Sequence, residues 1–390
     1  MKDERTKPFA VCLFVYFAVG SMVLTTSTVM KSIIAEYSWS DSQGAMIVTC
    51  MSVGFLIMSA LGNLTMERIG RKASLLIGGG IMFGCYLLFA LLPVPVLYYP
   101  LMLVAGLSWG LLNCLVNTVV SELYGGNPSK LNLMNACYAF GAVLLPMLVG
   151  LMTMNSVQSW RLPCYLVVAF GAVLLLLGLR VPLPEKPAKK AAEGGAALSR
   201  PFWREAGFYI SLIVFFVYVG VETAAQSWLS PYLSQTNTFF KENVPSETMV
   251  SLMWGMILCG RLLFAAIGGK IDRRWLLVGL SVGFLVGLVG VILLCGSTVP
   301  AILSVAVMGF SMSALYATAV SNANRYVTGS PVAAGLIFGS AGVGSSVLPL
   351  LAGIFSDSMG LKAGMTSLCF FLALLLCASV INLKISERQS

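Results

Sequence analysis

The stretch PFAVCLFVYFAVGSMVLTTSTVM (8–30) contains no charged residue, and its length decides the fold class. A bilayer core about 30 Å thick is crossed by about 20 apolar residues in an α-helix. The stretch follows a charged N-terminal segment, as the apolar part of a secretory signal does. It is too long for a signal and lacks a convincing small-residue cleavage site, so it predicts a first transmembrane helix.

The whole chain has the composition of a membrane protein. Of its 390 residues, 58% are hydrophobic and 10% are charged, whereas soluble domains are about 45–50% apolar and about 25% charged. Uncharged windows predict twelve helices, because two double-length windows are divided where turn residues cluster, at Pro93–Pro95 and Gly296–Pro300. The predicted spans are 8–30, 43–65, 73–92, 97–121, 131–153, 162–179, 206–233, 249–268, 275–295, 300–323, 331–355 and 364–383.

The basic residues predict the orientation of these helices. All but five of the 24 Lys and Arg residues fall in segments on the side of the N-terminus, and such an excess marks cytoplasmic loops. Lys31, Arg161, Lys241 and Lys362 lie on the opposite side, and Arg261 lies inside a span. We therefore expect both termini in the cytoplasm and the chain in the cytoplasmic membrane. The net charge of +9 comes from these anchoring clusters rather than from a nucleic-acid-binding surface.

The chain repeats itself internally. The segment FGAVLLPMLVG (140–150) resembles GVGSSVLPLLAG (342–353), and Gly106 precedes the first proline by as many residues as Gly309 precedes the second. The segment between the halves is rich in proline and lysine and predicts a flexible linker. The predicted domains of this all-α membrane protein are a six-helix bundle (1–180), a cytoplasmic linker (181–205) and a second six-helix bundle (206–390). Two parallel six-helix repeats are typical of secondary transporters.

Two predicted loops carry a similar motif, GNLTMERIGRK (62–72) after span two and GGKIDRR (268–274) after span eight. Both resemble the Gly-x-x-x-Asp-Arg-x-Gly-Arg-Arg/Lys signature of the major facilitator superfamily, although Glu67 replaces the aspartate in the first copy. The resemblance implies the twelve-helix major facilitator fold and an ionic latch that holds one end of the transporter shut. The residues to which it assigns gating are Gly62, Glu67, Arg68, Arg71, Gly268, Asp272, Arg273 and, in the G-R-x-L sequence of span eight, Arg261.

Four segments look like the fucose–glucose–galactose:proton symporter branch of that superfamily and its relatives. They are GLSWGLLNCLVN (106–117), LNLMNACYAFGAVLLP (131–146), YVGVETAAQSWLSPYL (218–233) and WGMILCGRLLFAAIGGKIDRR (254–274). The branch carries acidic residues on spans one and four. This chain departs from that pattern, since span one has no acid and Asn113 stands where the acid of span four is expected.

One carboxyl group and one guanidinium lie well inside predicted spans. A carboxylate in hydrocarbon is costly unless it is paired, protonated or hydrated, so Glu222 is a functional candidate, and we predict that it couples transport to protons. A structural hydrogen bond is the alternative for Glu222, and sodium is the alternative coupling ion. Arg261 could bind an anionic substrate, pair with Glu222 or extend to the cytoplasmic surface.

Carboxamides and aromatic rings recur at helical spacing in spans four and seven. Amides exchange hydrogen bonds with sugar hydroxyls, and rings stack on the C–H faces of sugars. The alternative for any single asparagine is a hydrogen bond between packed helices. The predicted substrate-binding residues, which we expect near the midplane between the halves, are Trp109, Asn113, Asn117, Asn135, Tyr138, Tyr218, Gln226, Trp228 and Tyr316.

These features predict a secondary active transporter of a small polar solute, a sugar, with proton coupling. Export of amphipathic compounds by proton antiport is the alternative, and a receptor that uses a transporter fold is a third interpretation. The chain has no histidine, P-loop or metal-ligand spacing, which argues against an enzyme and against an ATP-driven pump. We expect no cofactor and no metal. The expected partners are the solute, the proton and the lipid bilayer, with the chain acting as a monomer and without nucleic acid.

Overall fold

The computed structural model describes residues 2–124, 128–153, 157–184, 201–237, 239–240, 243–267, 273–323, 326 and 331–387. Regular structure in these residues is helical, without a β-strand. The α-helices of eight residues or more are α1 (Lys2–Tyr37), α2 (Asp41–Ile69), α3 (Arg71–Leu91), α4 (Tyr98–Tyr124), α5 (Pro128–Thr153), α6 (Arg161–Arg180), α7 (Ala206–Thr236), α8 (Thr248–Ile267), α9 (Arg273–Leu294), α10 (Thr298–Met312), α11 (Leu315–Asn322), α12 (Pro331–Met359) and α13 (Leu361–Glu387).

Eleven segments of the described residues are helical, long and apolar enough to cross a membrane, and α8 adds a shorter apolar helix at Thr248–Phe264. One of the eleven combines α10 with α11, so twelve helical segments follow the order of the twelve predicted spans. Several helices are longer than the uncharged windows. Helix α1, predicted at 8–30, continues to Tyr37, because a helix continues past the hydrocarbon wherever its charged groups find water or an ionic partner.

The helices form two compact units. The first unit comprises Met1–Trp39 and Gln43–Lys189, and within it α1 packs against α5, and α3 against α6. The second unit comprises Ser40–Ser42 and Lys190–Ser390, and within it α7 packs against α12, and α9 against α10. Residues 185–200 of the predicted linker lie outside the described residues, so its flexibility stays a prediction.

Equivalent glycines let helices touch backbone to backbone in both units. A Cβ atom on Gly106 of α4 would overlap the carbonyl oxygen of Met51 on α2, and a Cβ on Gly309 of α10 would overlap that of Met253 on α8. Only glycine fits at both contacts, since the overlapping atoms belong to the backbone and cannot rotate away. The repeat found in the sequence therefore corresponds to the same helix contact built twice.

Span ten is interrupted at Ser313–Ala314, between α10 and α11. The amide of Ser313 donates to the carbonyl of Phe310 at 3.2 Å, so the helix tightens by one residue before it ends. The carbonyl of Met312 accepts a hydrogen bond from the hydroxyl of Tyr218 on α7 at 3.1 Å. A side chain from a neighbouring helix thus satisfies a backbone group at the interruption, as hydrocarbon surroundings require.

Candidate functional site

A hydrogen-bonded cluster joins α1 to α4 in the first unit. The hydroxyl of Tyr16 donates to Oδ1 of Asn113 at 2.5 Å. Nδ2 of Asn117 lies 3.0 Å from the Tyr16 oxygen and 2.8 Å from the Asn113 carbonyl, one turn earlier on the same helix. The ring of Tyr138 on α5 meets the ring of Tyr16 edge to face, with centroids 5.8 Å apart. We call these four residues the asparagine cluster.

The internal hydrogen bonds of the asparagine cluster leave specific atoms unused. Asn113 accepts through Oδ1, and no described residue accepts from its Nδ2. Asn117 donates through Nδ2, and no described residue donates to its Oδ1. Both side chains are half-buried. The cluster therefore offers an amide donor on Asn113 and an amide acceptor on Asn117, and a hydroxyl group can engage both kinds of atom.

Two more of the predicted binding residues lie on the same helices. Trp109, one turn before Asn113 on α4, stacks on Phe55 of α2 with ring centroids 4.0 Å apart. Asn135 lies one turn before Tyr138 on α5 and is exposed. The structure therefore groups Asn113, Asn117 and Tyr138 closely, whereas the ring of Trp109 is engaged by another aromatic side chain.

In the second unit, polar groups collect around Glu222 on α7. Glu222 is half-buried, and Tyr218, one turn earlier on the same face of α7, acts on its carboxyl group. Arg261 on α8 acts electrostatically on Glu222, Tyr218 and Tyr316. Tyr316, at the start of α11, is 40% exposed, and its ring centroid lies 6.5 Å from that of Tyr218. These four residues form the Glu222 cluster.

All three residues predicted to bind substrate on α7 are buried in protein, and Tyr218 is 1% exposed. Gln226, one turn beyond Glu222, is 6% exposed. Trp228 is 1% exposed, and its indole N–H donates to the carbonyl of Pro349 on α12 at 3.0 Å. The donor and the ring of Trp228 are thus both engaged in helix packing, and we leave Trp228 out of the proposed binding site.

Arg71, one of the predicted gating residues, pairs with an acid that the motif does not contain. Arg71, the first residue of α3, forms an ion pair with Glu122 of α4, with Nη2 2.6 Å from Oε2. Its Nη1 donates to the carbonyl of Pro184, after α6, at 2.6 Å. Arg71 thus ties α3, α4 and the chain beyond α6 together, and its acidic partner lies on a neighbouring helix.

The other predicted gating residues occupy varied environments. Glu67 and Arg68 are exposed near the end of α2, and no described residue forms an ion pair with either. A Cβ on Gly62 would lie 2.7 Å from Sγ of Cys114, so this glycine allows α2 to approach α4. Gly268 and Asp272 lie outside the described residues. Arg273 begins α9, and its side chain is likewise outside the described part.

An ionic and aromatic network lies near the opposite end of the first unit. Arg161 at the start of α6 binds Glu36 of α1 through two hydrogen bonds, of 2.9 and 2.7 Å. Trp160 donates to the same carboxylate at 2.5 Å, and its ring lies 4.6 Å from the guanidinium. This network holds α1 against α6 and pairs two half-buried charges.

Sequence reasoning missed Tyr16 and the Glu36–Arg161 pair. Span one has no acid in its apolar run, and its contribution to the asparagine cluster is a phenol instead. A tyrosine at helical spacing on the face that meets span four was the available signal. Among the described residues, no group of three or more Cys, Asp or Glu side chains is placed to hold a metal ion.

Comparison with protein families gives one match across most of the chain. The profile of the Major Facilitator Superfamily matches residues 9–330. Among curated proteins, the chain is 22% identical over 333 residues to Protein TsgA of Shigella flexneri, covering 82% of this chain and 80% of that protein. It is 23% identical over 372 residues to the Glucose/galactose transporter of Brucella abortus, covering 89% and 87%.

Solved structures share the fold at low sequence identity. A point mutant of the nucleoside transporter NupG superposes with a TM-score of 0.77 at 13% identity, covering 97% of this chain and 99% of that chain. A point mutant of the Escherichia coli fucose:proton symporter FucP superposes with a TM-score of 0.64 at 16% identity, with the same coverage. Both likenesses concern the fold alone.

Proposed function

Because the chain belongs to the major facilitator superfamily, we propose that it carries a small sugar-like solute across the membrane in symport with a proton. Family membership and the multi-pass helices make the protein a membrane transporter rather than an enzyme. The names of the Brucella glucose/galactose transporter and of the fucose:proton symporter support the choice of a sugar and a proton. NupG is a nucleoside transporter of the same fold, so a nucleoside is the comparison solute in the transport experiment.

One observation carries the choice of a hydroxyl-bearing solute. The asparagine cluster keeps an amide donor on Asn113 and an amide acceptor on Asn117 without partners among the described residues. Once a solute covers these half-buried amide groups, each needs a partner, because leaving a buried polar group unsatisfied costs about 1–3 kcal/mol. A sugar hydroxyl supplies one donor and two acceptor lone pairs, and the nearby ring of Tyr138 suits the C–H face of a sugar.

The proton role belongs to Glu222. It is the acid of the described residues that lies near the middle of a spanning helix, with Tyr218 one turn earlier on the same face. A carboxyl group can bind and release a proton as access to it changes, which a structural amide cannot do. We assign gating to the loop that contains Asp272 and Arg273, and we place both termini in the cytoplasm on the distribution of Lys and Arg.

Transport by the purified full-length protein in proteoliposomes tests this proposal. Radiolabelled D-glucose, D-galactose and L-fucose would be supplied with and without an inside-alkaline pH gradient, beside a nucleoside and a lipophilic cation. We expect gradient-dependent accumulation of at least one sugar. Asn113→Leu should weaken the binding of that sugar, and Glu222→Gln should abolish the gradient-driven component.

Accumulation of the lipophilic cation driven by an inside-acidic pH gradient, without sugar uptake, would replace this proposal with export by proton antiport. Nucleoside uptake without sugar uptake would keep the transporter and the proton role but change the solute. Cys259→Ser is a suitable control, because Cys259 is an exposed residue of α8 that neither cluster includes.

A further inference from the structure

A short aromatic segment precedes and begins α7 in the second unit, and we call residues 202–209 the aromatic segment. Phe202–Arg204 form one turn of 3₁₀ helix just before α7. The rings of Phe202 and Phe208 meet edge to face, with centroids 4.9 Å apart. Phe208 is 3% exposed, and its ring also meets that of Tyr326 edge to face at 5.9 Å. These contacts pack the inner side of the aromatic segment against the second unit.

Hydrogen bonds hold the same segment in place. The hydroxyl of Tyr209, in the first turn of α7, donates to the carbonyl of Trp203 at 2.9 Å. The hydroxyl of Tyr326 donates to Oε2 of Glu205, the residue just before α7, at 3.0 Å. Together these bonds fix Trp203 and its neighbour Arg204 relative to the first turn of α7.

The outer side of the aromatic segment carries three exposed side chains. Trp203 is 57% exposed and Tyr209 is 50% exposed, and Arg204 is exposed beside them. No described residue accepts a hydrogen bond from the indole N–H of Trp203 or from the guanidinium of Arg204. The surface therefore combines two aromatic rings with unused N–H donors and one positive charge. Tryptophan and tyrosine with this pairing of an apolar body and a polar edge favour the boundary between membrane and water.

The length of α7 places this surface at the level of the lipid headgroups. The helix has 31 residues, Ala206–Thr236, and is therefore about 46 Å long. The hydrocarbon core is about 30 Å thick, and the bilayer with its headgroups about 40–45 Å. With α7 centred in the core, its first turn extends beyond the hydrocarbon, and Trp203 and Arg204 lie just outside that turn.

The charge of the segment and of the chain before it favours an anionic partner. Residues 185–204 contain five basic and two acidic residues, a net charge of +3. Glu205, the acid that follows Arg204, directs its carboxylate to the buried side chain of Tyr326. Basic residues next to a membrane are attracted to anionic lipids, and a guanidinium donates to phosphate oxygens through two parallel hydrogen bonds.

We propose that the aromatic segment binds the headgroup of an anionic phospholipid, on the side of the membrane where we place both termini. Arg204 and the indole N–H of Trp203 donate to the phosphate oxygens, while the rings of Trp203 and Tyr209 lie along the upper part of the acyl chains. The lipid anchors the start of α7, the helix that carries Glu222, at a fixed depth. Its binding does not depend on which solute is transported.

Quenching of Trp203 fluorescence by brominated lipid tests the proposal. The full-length protein is reconstituted in phosphatidylcholine vesicles that contain either phosphatidylglycerol or phosphatidylcholine brominated near the headgroup end of the acyl chains, at equal fractions. The Trp203 signal is the difference between the wild-type protein and Trp203→Phe. We expect phosphatidylglycerol to be preferred beside Trp203 by about fivefold at low salt, as for one basic residue at an anionic surface. The preference should largely disappear in about 1 M salt, where charges are screened within about 3 Å.

Variants separate the contribution of Arg204 from a general attraction of the protein to anionic lipid. Arg204→Gln should remove the preference for phosphatidylglycerol, whereas Arg204→Lys keeps the charge and should retain most of it. Arg180→Gln is the matched control, because Arg180 is an exposed arginine at the end of α6, and it should keep the wild-type preference. Each variant is compared with its own Trp203→Phe partner.

The other outcomes would overturn the proposal. Equal quenching of Trp203 by the two brominated lipids in the wild-type protein would exclude an anionic-lipid site, and emission that neither lipid quenches would place the segment outside the bilayer. A preference that survives in Arg204→Gln would exclude Arg204 as the headgroup contact. Loss of the preference in millimolar inorganic phosphate at constant ionic strength would indicate a site for free anions instead of lipid. The proposed sugar symport would stand in each case.

Discussion

Replacing Asn113 by leucine separates two things that the asparagine cluster does. The change removes the Oδ1 acceptor that the Tyr16 hydroxyl uses at 2.5 Å, and it removes the unused Nδ2 donor that we assign to the solute. Leucine has a similar size and shape, so the effects come from lost hydrogen bonds rather than from a cavity.

The expected magnitudes follow from the burial of each group. Tyr16 is 6% exposed, so the loss of its acceptor should lower the free energy of unfolding by about 1–3 kcal/mol. The solute hydroxyl loses its partner as well, and solute affinity should fall by about 1–3 kcal/mol, or about 5- to 150-fold. Tyr16→Phe is the matched variant, because it breaks the same internal bond and keeps both free amide atoms of the asparagines.

The assay combines thermal unfolding in detergent with equilibrium binding of the preferred solute. Both variants should lose stability, whereas Asn113→Leu should lose much more affinity than Tyr16→Phe. The double variant should lose less stability than the sum of the two single variants, since both remove one shared hydrogen bond. Equal losses of affinity in Asn113→Leu and Tyr16→Phe would refute direct contact between Asn113 and the solute and leave it a positioning role.

Glu222→Gln should abolish uptake driven by a pH gradient while solute exchange at equal pH persists, because glutamine hydrogen-bonds but releases no proton; gradient-driven uptake at the wild-type rate would contradict the coupling role. Glu122→Gln should lower the free energy of unfolding by about 1–3 kcal/mol, since Arg71 loses its charged partner. The control Glu67→Gln should change the free energy of unfolding by less than about 0.5 kcal/mol, because Glu67 is exposed. Equal effects of the two substitutions would count against the ion pair between Arg71 and Glu122. Asp272→Asn should slow transport at unchanged solute affinity, and a large loss of affinity at an unchanged maximal rate would argue against gating.

Hydropathy and glycine spacing predicted the parts of the fold that local chemistry determines. Twelve apolar segments appear in the expected order because each must fill the bilayer with helix. Gly106 and Gly309 occupy equivalent positions in the sequence repeat, and at each position a side chain would push two helices apart. The predicted helices end too early. Helix α1 includes Glu36, because the ion pair with Arg161 neutralises this charge.

Side-chain partners were harder to predict, because they depend on which helices are neighbours. Glu122 lies just beyond the predicted end of span four, and nothing in the sequence indicated that it pairs with Arg71 of α3. Tryptophan is a residue type that stacks on sugars, but the packing of α7 against α12 buries Trp228. The interruption of span ten carries no proline or glycine, so no local signal indicated it.

The interrupted span has a consequence for how the protein enters the membrane during synthesis. Helix α10 has 15 residues and α11 has 8, so they are about 22 and 12 Å long, and neither alone crosses a core of about 30 Å. We expect them to insert as one unit, and the Met312 carbonyl in its middle then needs a donor within the hydrocarbon. The donor, Tyr218, leaves the ribosome earlier in the chain than Met312. We therefore expect α7 to be in the bilayer before the interrupted span emerges.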